Sequence, residues 1–141
     1  MTTNEEMQTS EAEILDILRN YRVVAVVGLS PKPDRASYQV AHYLKEHGYR
    51  IIPVRPGCQE ILGEKCYASL KDIPFPVEVV DIFRNVDAIP GIVEEAIGVN
   101  AKAVWMQLGL KDPGSAHKAK EAGLQVVMDR CMKIEHSQRQ L

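Results

Sequence analysis

Cysteine, net charge and long apolar runs are all scarce in this chain, and each scarcity excludes something. Three cysteines in 141 residues, at 58, 66 and 131, are an odd number without zinc spacing, so neither a disulfide framework nor a metal site is expected. Reduced thiols fit a cytoplasmic setting. A formal net charge of −2 gives no global field for nucleic acid or an anionic membrane surface. No apolar run approaches the roughly 18 residues of a membrane span. The opening MTTNEEMQTSEAE is polar and acidic, the wrong composition for a secretory leader. What is present, 45% apolar and 26% charged residues, is ordinary for one soluble domain with its own core.

The pattern along the chain alternates. Residues 1–9 read as a loose tail. Ser10 and Glu13 then match a capping box, with Glu13 expected to reach back to the cap, and a helix follows over 11–20. Val23 to Val27 is a continuous β-branched and apolar run, the mark of a strand buried on both faces. A Ser- and Pro-bearing loop leads to a helix over 36–46, closed by Gly48, and a strand over 49–54. Strands are expected again at 77–83, 103–106 and 124–128, with helices at 87–97 and 115–122 between them. Pro90 falls in a first helical turn, where a missing N–H costs little. From Lys133 the chain is polar, and 136–141 reads as a tail after a domain at 10–135. Strands separated by helices imply a doubly wound, Rossmann-like α/β fold: a five-stranded parallel sheet, helices on both faces, expected order 3-2-1-4-5.

In such sheets ligands bind beyond the carboxyl end of the first strand, where the strand order reverses. There the chain reads Gly28-Leu29-Ser30-Pro31-Lys32-Pro33-Asp34-Arg35-Ala36-Ser37-Tyr38. Gly28 permits a sharp turn, the helix start offers unpaired amides and a positive dipole end, and Lys32, Arg35 and two serines add charge and hydroxyls. These favour phosphate. The dinucleotide fingerprint G-x-G-x-x-G is absent, because Ser30 and Pro33 stand where its later glycines belong. The second strand ends in Arg55 rather than an acid, which disfavours a free ribose 2′-hydroxyl and suits a phosphorylated ribose. Coenzyme A and NADP both carry one, and the residues alone do not separate them.

The stretches VVAVVGLSPKPDRASYQVAHYL, YRIIPVRPG, EILGEKCYASLKDIP, VDIFRNVDAIPGIVEEAI, AVWMQLG and GLQVVMDRC resemble the small stand-alone CoA-binding proteins, which are similar to the nucleotide-binding domain of the succinyl-CoA synthetase α-subunit. The likeness covers about residues 11–135. It implies that coenzyme A or an acyl-CoA is the ligand. Gly28, Ser30, Arg35, Ser37 and Tyr38 would then hold the diphosphate, and Pro53, Val54, Arg55 and Pro56 would border the adenosine and its 3′-phosphate. Phe83 and Arg84 would line the cleft, and Trp105, Gln107 and Gly109 would face the pantetheine side. Many relatives carry Asn where this chain has Arg55. The synthetase's phosphorylated histidine lies in a second domain, which this chain is expected to stop short of, so the resemblance implies a binding module rather than a thiokinase.

The remaining candidates read blandly. His42, His47, His117 and His136 are poorly spaced for shared metal ligation. Cys58, near the expected adenosine edge, admits a mixed disulfide with coenzyme A as a minor reading. Asp81 and Asp129 at strand ends are expected to cap helices or pair with neighbours such as Arg84 and Arg130. No nucleophile, base and orienter set emerges. Three functions therefore stand: a CoA-binding module, an NADP-linked oxidoreductase, and a CoA-binding subunit docked on a larger synthetase or transferase. A homodimer is the other partner class left open.

Overall fold

A computed structural model describes residues 10–139 and 141; the tail expected over 1–9 lies outside them. Helix α1, Glu11–Asn20, precedes strand β1, Val23–Val27, helix α2, Ala36–Glu46, and strand β2, Arg50–Val54. A short antiparallel hairpin follows, β3 at Glu60–Ile61 and β4 at Glu64–Lys65. Then come β5, Val79–Ile82, α3, Ile89–Gly98, β6, Ala103–Met106, α4, Pro113–Glu121, β7, Gln125–Val127, and α5, Met132–Ser137. The five long strands form one parallel sheet, so the Rossmann-like class holds. No described helix is long and apolar enough to cross a membrane.

The strand order differs from the expected one. The sheet runs β2-β1-β5-β6-β7, so the third long strand pairs with β1 rather than with the outer side of β2. Handedness explains the difference. A right-handed crossover moves the chain one way across a sheet when it packs on one face and the other way on the opposite face. Val40, Ala41 and Leu44 of α2 pack on the face shared with α1 and Met132. The connection after β2 instead buries Leu70, Ile73 and Val77 on the face shared with α3 and α4. The next strand therefore lands beyond β1. The outer edge of β2 is covered by Tyr67, which bridges Val54, donates its N–H to the Pro53 carbonyl at 3.0 Å and accepts from the Arg55 N–H at 2.8 Å. Pro53 lacks an N–H and sits on this edge strand, where proline is tolerated.

Two further differences concern the ends. Ser10 Oγ accepts from the Glu13 N–H at 3.1 Å, so half of the expected box forms. The Glu13 carboxylate instead bonds the backbone of Val126 on edge strand β7, and burial there raises its pKa. The segment after Cys131 is no tail: α5 buries Met132 completely, and His136 Nδ1 meets the Tyr43 hydroxyl at 2.8 Å. Arg139 then pairs with Glu135 and with Glu11, tying the chain's end to α1.

Candidate functional site

The revised order moves the reversal point to the gap between β1 and β5, which brings Gly28 against Phe83 and Arg84. Gly28 has φ of +89°, and a Cβ there would lie 2.4 Å from the Phe83 carbonyl oxygen and 2.8 Å from Arg84 Cδ. Only glycine meets both demands. Its N–H donates to the Val54 carbonyl at 2.9 Å, and the Phe83 N–H to Val27 at 2.8 Å, so the ends of β1, β2 and β5 are stitched together beneath the loop.

The loop after β1 uses its serines on itself. The Ser30 N–H donates to Ser37 Oγ at 3.0 Å and the Lys32 N–H to Ser30 Oγ at 3.1 Å. The amides at 30 and 32 are thus occupied, while both serines keep their hydroxyl hydrogens to donate. Arg35 is the N-cap of α2 and makes no side-chain capping bond, so the amides of Ala36, Ser37 and Tyr38 stay open to an anion. Arg55 reaches across from β2, its Nη1 3.4 Å from the Leu29 carbonyl.

These groups enclose a hollow of about 430 Å³, with Lys32, Arg35 and Arg55 in its wall beside Ser30, Ser37 and Phe83, and no carboxylate among its lining residues. In a chain of net charge −2, three cations lining one cavity make a local setting that suits an anion. Two more hollows flank it. One of about 230 Å³ is lined by Val27, Val54, Pro56, Leu70 and Arg84. The other, about 420 Å³, shares Ala36 and Phe83 with the central hollow and continues over Val40, Gln107, Leu110 and Cys131.

Four of the expected site residues stand elsewhere. Tyr38 lines a separate hollow with His42 and Lys133, its ring stacked on His42 at 6.3 Å. Trp105 is fully buried, and its Nε1 donates to the Arg130 carbonyl at 2.9 Å, so it is core. Gly109 donates to Asp129 Oδ1 at 2.7 Å and lines none of these hollows. Pro53 is a buried strand residue. Asp81 also departs from expectation. It pairs with no arginine, is 0% exposed, and accepts from Gln107 Nε2 at 2.5 Å, while its Oδ2 has no partner. Burial pushes its pKa up to about 7. Asp129 likewise bonds a backbone amide rather than Arg130, which pairs with Glu135 at 3.6 Å.

Nothing in the sequence signals Cys131 and Ile134 in the wall of the flanking hollow, because the polar run from Lys133 hides α5, whose N-cap is Cys131. Cys131 lines that hollow, while the Cys58 thiol donates to the Glu60 carbonyl at 3.7 Å. Cys66, buried and hydrogen-bonded to Cys58, has its thiol pushed up to about 12.

The family model for the CoA binding domain matches residues 22–137. The chain belongs to that family. The CoA-binding domain is 42% identical over 128 residues to the Bacillus subtilis protein YneT, covering 91% of this chain and 95% of that one. A solved structure of a protein from Pyrococcus horikoshii OT3 superposes with a TM-score of 0.88 at 45% identity, covering 92% of each chain. The ADP-forming acetate–CoA ligase II of Archaeoglobus fulgidus is 32% identical over 94 residues, which are 64% of this chain. The CoA-binding domain spans only 14% of that ligase's length.

Proposed function

We propose that this chain binds coenzyme A or an acyl-CoA in the crevice beyond β1, β2, β5 and β6. The diphosphate occupies the central hollow against the first turn of α2, Lys32 and Arg35. The adenosine and its 3′-phosphate lie toward Arg55 and Pro56, and the pantetheine arm passes Phe83 into the third hollow. The observation that carries this reading is the convergence of three cations and an uncapped helix start on one cavity without a carboxylate. Family membership is what favours coenzyme A over NADP. A cytoplasmic site of action goes with it, since free thiols persist there.

Calorimetry tests the reading directly. Coenzyme A should bind, Arg35→Ala should weaken it about ten-fold by removing one charge-assisted contact, and dephospho-CoA should bind more weakly than coenzyme A. Equal affinity for dephospho-CoA would remove Arg55 from the 3′-phosphate, and tighter binding of NADPH would replace the ligand.

One observation favours a second reading, in which the module docks on the catalytic part of a synthetase. Leu108 and Ile134, at the mouth of the third hollow, are 66% and 43% exposed. Apolar side chains at the end where the thiol would emerge suit a covering partner. Isolation of the chain from its own cells as a lone species would count against docking.

A further inference from the structure

The apolar hollow beyond Phe83 contains one buried polar anchor that the fold itself does not need. Gln107 follows β6, is 4% exposed and lines the hollow. Behind it, in the sheet, lies Asp81, whose neighbours in register are Val26 on β1 and Trp105 on β6. A carboxyl at that place is costly, because it is wholly desolvated, meets no cation and leaves Oδ2 without a partner. Leucine would fill the space at less cost, as buried polar groups often yield to apolar ones of similar volume.

What Asp81 does is fix one amide. Its Oδ1 accepts from Gln107 Nε2 at 2.5 Å, so both orientation and polarity of that side chain are set. One N–H of the amide is committed to Asp81, and the amide oxygen is the acceptor that Gln107 has left to offer the hollow. Around it the wall is mainly apolar, with Val40, Phe83, Leu110, Cys131 and Ile134, while its other polar residues, Arg84 and Asn85, are exposed, so a buried acceptor counts for more than in water.

We propose that Gln107 is the specificity-determining acceptor for the pantetheine arm, receiving an N–H or S–H donor of that arm, and that Asp81 is its positioning residue. This inference rests on the coenzyme A reading above. It adds the prediction that the arm is recognised by a hydrogen bond as well as by apolar contact.

The test is calorimetry at pH 8, above the raised pKa of Asp81, with coenzyme A, acetyl-CoA and adenosine 3′,5′-diphosphate, which lacks the arm. Gln107→Leu should weaken coenzyme A about ten-fold and the diphosphate less than two-fold. Asp81→Leu should reproduce that pattern. Asp81→Asn should recover most of the loss, since its amide oxygen still accepts from Nε2. If acetyl-CoA suffers the same loss in Gln107→Leu, the donor is an amide of the arm; if it is insensitive to the change, the donor is the free thiol. Should a single variant fail to fold, the double Asp81→Leu/Gln107→Leu variant leaves neither polar group buried alone and carries the same expectation. An unchanged coenzyme A affinity in Gln107→Leu, or equal loss for coenzyme A and the diphosphate, overturns the proposal. Wild-type protein that binds neither ligand would instead overturn the reading of the crevice itself.

Discussion

Gly28 and Asp81 are two residues held at a local cost, one in backbone conformation and one in desolvation, and they differ in how far sequence could find them. Gly28 announces itself as the residue that ends an apolar run, and its φ of +89° with a carbonyl 2.4 Å from a would-be Cβ explains why. Gly48 has a similar φ of +91° but nothing within 4 Å. Gly28→Ala should therefore cost about 3 kcal/mol in urea unfolding, and Gly48→Ala only about 1 kcal/mol, the difference being the close approach to Phe83. Asp81 is invisible as a buried acid in sequence, because a carboxylate at a strand end pairs far more often than it is sealed. Its burial has a pH signature with a definite sign. The folded pKa of about 7 lies above the unfolded value, so the native state binds the extra proton. The contribution is harmless below about pH 4, and stability falls by roughly 1.4 kcal/mol per unit as pH rises to about 7, then levels. Asp81→Asn should lack this loss and be the more stable protein at pH 8. A wild-type-minus-variant difference that stays flat between pH 4 and 8 would refute the burial argument.

At the scale of elements, the apolar run of β1, the spacing in α2 and the Pro at the start of α3 made strands and helices readable nearly to the residue. What could not be read was direction. The order β2-β1-β5-β6-β7 depends on which face the connection at 70–77 covers. Leu70, Ile73 and Val77 are apolar whichever face they choose. Helix α5 was hidden for a related reason: six residues with three charged or titratable side chains look like a tail until Met132 finds its place in the core. Both differences bear on the site, since the order decides that Phe83 rather than a β6 residue abuts Gly28, and α5 with its N-cap supplies Ile134 and Cys131. The start of α1, in contrast, was half legible. Ser10 caps the helix, and Ser10→Ala should cost about 1 kcal/mol, or about 3 °C in melting temperature, by releasing the Glu13 amide. Glu13 should not share that role, because its carboxylate serves β7.

For the whole molecule, the crevice gathers the ends of four strands, so a ligand there is linked to global unfolding rather than to one loop. Saturation at a hundred times the dissociation constant should add about 2.7 kcal/mol to the unfolding free energy. The cation cluster makes a sharper prediction, because its contribution changes sign with occupancy. Without ligand, Lys32, Arg35 and Arg55 line one cavity with no carboxylate among its lining residues, and Arg35 gives its helix no capping bond. Removing Arg35 then relieves like-charge repulsion, worth a few tenths of a kcal/mol at low ionic strength. If coenzyme A binds as proposed, the same side chain would become a charge-assisted donor to phosphate. Arg35→Ala should therefore melt at or slightly above the wild type in ligand-free, low-salt buffer and clearly below it in saturating coenzyme A. Such a crossing of melting curves is what a site kept for binding at the fold's expense produces. If Arg35→Ala lowered the melting temperature equally in both conditions, Arg35 would be a structural residue, and the central hollow would lose its claim to the diphosphate.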